Sequence, residues 1–208
     1  MRYNTFRKTL FLVMLITGNH AAQDILDPYY YDHSWKITYS AAKDTLYYYP
    51  REDKAKRFKI PASVRVIEER AFQCNEHLTE ILIPEAVNRI GLGSFMWSKK
   101  LTSVTIKGPI KTIPWRAFED CPELRVIDLP ATVSVFDGQS FSGCKKLEKI
   151  IIRNPEPPEL FPWTGDDDPM WDFWGVNLSK CVVYVPSGSV EKYKAAEGWM
   201  HFKNIKEL

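Results

Sequence analysis

Apolar residues in the middle of this chain return at a fixed interval, neither helical nor simply alternating. Leu78, Leu101, Leu124 and Leu147 stand 23 residues apart, and Phe72, Phe95, Phe118 and Phe141 keep the same interval. Two core residue types locked to one period predict a repeat protein whose units bury their apolar faces against each other. The units read Leu78-Thr79-Glu80-Ile81-Leu82-Ile83-Pro84, Leu101-Thr102-Ser103-Val104-Thr105-Ile106, Leu124-Arg125-Val126-Ile127-Asp128-Leu129-Pro130 and Leu147-Glu148-Lys149-Ile150-Ile151-Ile152. Positions one, four and six are always aliphatic, and alternation over the last part predicts a short strand with one face inward. Phe58 and Ile60 before Pro61 fit the same frame, as do Val183 and Val185 before Pro186, so six strands are expected to stack.

Proline follows the strand directly at Pro61, Pro84, Pro130 and Pro186. It cannot donate a ladder hydrogen bond and its φ is fixed, so it ends the strand and begins a turn. Val64, Val87, Ile110 and Val133, then Ile67, Ile90, Ile113 and Phe136, are expected to form the opposite wall of the coil. A small residue precedes each repeated phenylalanine, at Ala71, Ser94, Ala117 and Ser140, where a bulkier one would compete with the ring for interior space. The last inward position of the turn reads Asn75, Ser98, Cys121 and Cys144.

These columns resemble the BspA-type leucine-rich-repeat family, with its unit of Leu-x-x-Ile-x-Ile-Pro, then Val-x-x-Ile, then Ala-Phe, then Cys. Residues 58 to 152 carry the match. The third unit departs from it with Lys107 in place of proline and Pro109 two places later, and the first with Cys74 one place early. The resemblance implies a mainly β solenoid: a right-handed leucine-rich-repeat coil with a parallel sheet on one face and short turns or 3-10 pieces on the other. An N-terminal hairpin is expected over Trp35 to Pro50. A C-terminal cap is expected as a strand and then a helix, with Ser187-Gly188-Ser189 at its start, running through Tyr193 to about Glu197. The expected organisation is a leader at 1–22, a flanking hairpin segment at 23–57, repeats at 58–152, an aromatic and acidic insertion at 153–180, and the cap at 181–208.

The N-terminus changes the picture from a fold to a destination. Arg2, Arg7 and Lys8 precede an apolar run from Leu10 to Ile16, followed by Thr17, Gly18 and the small pair Ala21 and Ala22. This is the order of an export signal cleaved after Ala21 or Ala22, and the run is far short of the roughly 20 residues that span a bilayer. The chain is therefore expected to be exported to the periplasm, the cell surface or the medium, without a transmembrane helix. Losing the leader removes three of 28 basic and none of 26 acidic residues, which leaves a formal charge of −1. A near-neutral chain lacks the electrostatic footprint of a nucleic-acid binder. At 208 residues and 45% hydrophobic composition it fits one domain, and a monomer is expected.

Four cysteines in an exported chain invite a disulfide reading. Cys121 and Cys144 occupy one column of neighbouring units, ~4.8 Å apart, so a bridge is possible in distance. Side chains leaving one column run parallel, which suits stacked buried thiols better; both readings stay open. No zinc spacing is present.

Two surfaces are candidates for binding. The outward strand positions form a row: Arg57, Lys59, Glu80, Leu82, Ser103, Thr105, Val126, Asp128, Lys149 and Ile151. It mixes both charges with apolar residues, which supports protein contact without single-sign steering. The second is the stretch from Pro155 to Lys180, which departs from the period with four prolines by Pro162, Asp166-Asp167-Asp168 and the aromatic set Trp163, Trp171, Phe173 and Trp174. Its aromatics either cover the exposed end of the stack or offer a contact surface to a protein or glycan. A calcium site on the three aspartates is a weaker alternative, since such ions need six to eight oxygens.

Enzyme motifs are absent: there is no Gly-x-Ser-x-Gly, His-Glu-x-x-His or phosphate loop, and His33, His77 and His201 stand in no recognisable catalytic frame. No cofactor and no resident metal are expected. The family resemblance implies an exported, non-enzymatic module for protein interaction or adhesion. The alternatives are a carbohydrate-binding accessory protein using the tryptophans and a structural spacer of the cell envelope.

Overall fold

The structure, a computed structural model, describes residues 36–160 and 171–208. The expected leader, His33, Trp163 and the three aspartates Asp166 to Asp168 lie outside the described residues. The repeats belong to a compact unit running Trp35–Leu208.

A hairpin of β1 (Thr38–Tyr39) and β2 (Thr45–Tyr48) opens the described chain, paired antiparallel. Five units then contribute a strand to each of two walls: β3 (Arg57–Lys59) and β4 (Val66–Ile67), β5 (Glu80–Ile83) and β6 (Arg89–Ile90), β7 (Ser103–Ile106) and β8 (Thr112–Ile113), β9 (Val126–Leu129) and β10 (Val135–Phe136), β11 (Lys149–Ile152) and β12 (Glu159–Leu160). The chain closes with β13 (Val182–Val185), a helix α1 (Val190–Ala195), a 3-10 turn Trp199–His201 and β14 (Asn204–Glu207). The major wall is one parallel sheet in the order β14-β13-β11-β9-β7-β5-β3. The minor wall is built from the short strands, β2-β4-β6 and β8-β10-β12, where turns or 3-10 pieces were expected. Ile67, Ile90, Ile113 and Phe136 all sit on it facing the core, so the opposite wall is where the second apolar column predicts it.

Seven strands stack rather than six, because β14 pairs in parallel with β13 through Val183 and Ile205. Its sequence Asn204-Ile205-Lys206-Glu207 buries only Ile205, too little alternation to signal a strand. The C-terminal helix starts where expected and stops two residues earlier. Ser189 makes no side-chain cap because it is itself buried and helical in backbone angle.

The Phe72, Phe95, Phe118 and Phe141 rings stack face to face at 4.8, 5.2 and 5.4 Å, each fully buried. Tyr49 continues the column at one end, at 5.0 Å from Phe72. At the other end Phe173 lies 5.6 Å from Phe141 and nearly parallel to it. Trp199 and Phe202 then close the stack edge-on against Phe173. Open solenoid ends would expose apolar rings, and these aromatic residues are the protection.

Phe173 corrects the reading of Pro155 to Lys180 as a departure from the period. β12 pairs with β10 so that Leu160 stands beside Phe136, and Asp172-Phe173 takes the place of the small-residue and phenylalanine pair. The chain uses five residues from Phe136 to Phe141 and thirteen from Leu160 to Phe173. The stretch is thus a fifth ordinary unit carrying a local excess, which falls within residues 161–170.

The turn column Asn75, Ser98, Cys121 and Cys144 is a row of donors. Ser98 Oγ donates to the Phe72 carbonyl at 3.1 Å, Cys121 Sγ to Phe95 at 3.2 Å and Cys144 Sγ to Phe118 at 3.1 Å. All four cysteines are free thiols, and burial pushes the Cys121 and Cys181 thiols up to about 12. The departure at Lys107 is absorbed by Gly108: the Ile110 amide closes a tighter turn onto the Gly108 carbonyl, where Val64, Val87 and Val133 reach back to proline carbonyls. A Cβ on Gly108 would lie 1.8 Å from the Val87 carbonyl oxygen, so only glycine fits this approach.

Candidate functional site

Strand register turns the outward positions of the major wall into two continuous rows. One runs Arg57, Glu80, Ser103, Val126, Lys149, Val182 and Asn204; the other runs Lys59, Leu82, Thr105, Asp128, Ile151, Tyr184 and Lys206. All ten residues expected on this row are brought together on one face. Arg57, Lys59, Glu80 and Leu82 are exposed, and Ser103, Thr105, Val126, Asp128, Lys149 and Ile151 are half-buried by their neighbours. Val182, Tyr184, Asn204 and Lys206 extend the face and were not anticipated. The inward assignment of Val183 and Val185 already implied that Val182 and Tyr184 face out, since side chains alternate along a strand.

Ion pairs between adjacent rungs neutralise much of this face. Arg57 contacts Glu80 at 2.8 Å, and Arg153 holds the Asp128 carboxylate in a fork at 2.9 and 2.8 Å. Arg125 pairs with Glu148 beside the same sheet. Lys149 lies over the Tyr184 ring at 5.3 Å, within cation–π range. The carboxylate partners push the Arg57 and Arg153 guanidiniums above their ordinary range, so both remain charged. Exposed pairs of this kind add little stability. Their effect here is to leave Val126, Ile151, Val182 and Tyr184 as an apolar patch over β9, β11 and β13, while Leu82 stands apart on β5 beyond Ser103 and Thr105.

The aromatic candidates divide. Phe173 is 1% exposed and belongs to the core, so it offers nothing to a partner. Trp171 and Trp174 are exposed, Trp174 at 72%. Asp172 between them is buried; its Oδ1 accepts from the Ser140 amide at 3.0 Å and its Oδ2 has no hydrogen-bond partner. Burial pushes this carboxyl up to about 6, against the lowering effect of Ser140.

The turns that hold the phenylalanines form an edge that sequence reasoning missed. Cys74, Trp97, Asp120 and Gly143 occupy one position of successive turns, all with positive φ, as do Arg70, Gly93, Arg116 and Gln139. Trp97 is 42% exposed and its Nε1 donates to Asp120 Oδ2 at 3.3 Å. The glycines of these two columns are the signal that was available: Gly93 and Gly143 mark positions where the repeat demands left-handed backbone.

His77 is half-buried and His201 exposed, in separate parts of the coil. Among the described residues no three His, Cys, Asp or Glu side chains converge as metal ligands, and no helix is long and apolar enough to cross a membrane.

Comparison with known proteins agrees with this architecture. The profile described as "BspA type Leucine rich repeat region" matches residues 45–156 in 6 copies. Among solved structures, a leucine rich cell surface protein from Faecalibacterium prausnitzii A2-165 superposes with a TM-score of 0.54 at 25% identity, covering 82% of this chain and 37% of that one. The pneumococcal vaccine antigen PcpA superposes with a TM-score of 0.62 at 20% identity, covering 83% of this chain and 46% of that one. This chain therefore spans less than half the length of either structure. A search of curated protein sequences finds no match.

Proposed function

Since the chain belongs to the BspA-type leucine-rich-repeat family, we propose that it is an exported, non-enzymatic binding module that adheres to a protein on a host or neighbouring cell. The observation that carries this reading is the seven-stranded outer face, on which Val126, Ile151, Val182 and Tyr184 form an apolar patch over β9, β11 and β13 beside paired charges, with Leu82 exposed two strands away on β5. Such a face suits a partner surface of mixed character, with the aromatic and aliphatic residues as anchors and the ion pairs as rim. The likeness to a leucine rich cell surface protein supports display outside the cell, and the leader pattern at residues 1–22 supports export.

The test is solid-phase binding of the mature chain to purified matrix and cell-surface proteins, and to whole cells before and after protease shaving. Saturable binding that shaving abolishes supports adhesion to protein. Saturation of no protein and no cell would overturn it in favour of a structural spacer.

A further inference from the structure

We propose that the occupant of the outer face is an acidic protein segment, which seats an apolar side chain on Val126, Ile151, Val182 and Tyr184 and gives its carboxylates to Lys149 and Lys206. The inference rests on the adhesion reading above and specifies the chemistry of its partner. By sequence the face mixes both charges, but its ion pairs sort them. Glu80 is held by Arg57, and Asp128 by both donors of the Arg153 fork. Glu148 beside them is held by Arg125. Glu207 at the end of β14 turns back to the Gly188 amide at 2.8 Å and the Ser187 hydroxyl at 3.0 Å. Among the described residues no carboxylate pairs with Lys59, Lys149 or Lys206. Each negative charge of the face is therefore occupied, and the charges left for a partner are positive.

Register puts two of these lysines around the apolar patch. Lys149 on β11 stands between Val126 on β9 and Val182 on β13 in one row. Lys206 on β14 stands beside Tyr184 in the other, two strands from Lys149 or ~10 Å across the sheet. The Lys149 ammonium rests over the Tyr184 ring at 5.3 Å, which keeps the charge at the patch. A carboxylate arriving there meets a cation beside apolar surface, where the pairing is stronger than in open water. A basic partner would have to displace Arg57 or Arg153 to find a carboxylate. A polyanionic glycan or nucleic acid fits the face less well, because it needs a run of cations. Between Lys59 and Lys149 the rows hold Glu80, Leu82, Ser103, Thr105, Val126 and Asp128, and the apolar patch gives a polyanion nothing to bind.

Fluorescence anisotropy of the mature chain with short synthetic peptides tests this. One peptide alternates Asp with Leu and Phe, one alternates Lys with the same apolar residues, one is all Asp, and a sulfated oligosaccharide serves as the polyanion. The expected result is preferential binding of the acidic and apolar peptide, weakened about tenfold or more between ~50 and ~300 mM salt. Lys149→Glu/Lys206→Glu should weaken it about tenfold or more at an unchanged unfolding midpoint, and should gain the basic and apolar peptide. Ile151→Ser should weaken it at both salt concentrations, and Lys111→Glu beside the minor wall should leave it intact. No binding of the acidic and apolar peptide, equal binding of the basic one by the parent, indifference to the charge reversal, or tighter binding of the all-Asp peptide or the sulfated oligosaccharide would overturn the proposal. A protein partner found by solid-phase binding that holds the charge-reversed variant equally well would overturn it while the adhesion reading stands. Failure of the adhesion reading is a different result, the absence of any such partner.

Discussion

Asp172 is the residue whose chemistry sits least comfortably with its place. It occupies the column that is small in every earlier unit, at Ala71, Ser94, Ala117 and Ser140, and one of its oxygens is buried without a partner. Its folded pKa of about 6 lies above an unfolded value of ~3.9, so between those values the folded chain keeps a proton that the unfolded chain has released. Stability should therefore fall as pH rises through about 4 to 6 and stay reduced above that window. Asp172→Asn is expected to be more stable than the parent by on the order of 2 kcal/mol at pH 7.5 and nearly equal to it at pH 4. Denaturant unfolding at the two pH values checks this; a variant weaker at pH 7.5 would mean that the charged bond to the Ser140 amide outweighs burial. At Cys121 and Cys144 the structure chooses between two open readings, since each thiol is spent on a phenylalanine carbonyl of the previous rung. Thiol titration of the unfolded, unreduced chain should count four groups, and in the folded chain the three buried thiols should react far more slowly than the half-buried Cys74. A count of two would establish a bridge.

At the scale of elements, what the sequence announces is what repeats. Leu78, Leu101, Leu124 and Leu147 locate the major wall, and Ile67, Ile90, Ile113 and Phe136 locate the minor one, because each column must be aliphatic or aromatic to fill the coil. The minor wall's two-residue strands were less visible, since two residues give no alternation to count. β14 was hidden for a related reason, with Ile205 its single inward side chain. The fifth unit was masked by length: its markers Leu160, Asp172-Phe173 and Val176 are spread over a longer stretch than those of any earlier unit. The candidate site followed the same rule. Outward residues of regular units were found by alternation, while Trp97 was missed because the demand for left-handed backbone is not a hydrophobic signal. If residues 155–180 are an ordinary unit, replacing residues 161–170 with Gly-Ser restores its spacing. That variant should unfold in one cooperative transition at essentially the parent midpoint in a thermal scan. A large drop would show that the removed residues, not the stacked rung, hold this end of the coil.

For the whole molecule, the stacking of like on like separates stability from recognition. Inward columns are occupied by one another, and the ends by Tyr49 on one side and Trp199 and Phe202 on the other. Outward residues have no such duty: the sheet rows can vary without disturbing the stack, and the binding proposed above is assigned to them. The most direct measurement compares affinity for the protein partner found by solid-phase binding among the parent, a Leu82→Glu/Ile151→Glu variant of the major wall and a Lys111→Glu variant beside the minor wall, each with its unfolding midpoint. The expected result is a loss of about a hundredfold or more in the first variant at unchanged stability, as for removal of interface anchors, and parent-like affinity in the second. Equal affinity in all three, with every midpoint unchanged, would contradict the assignment of binding to the outer face of the sheet.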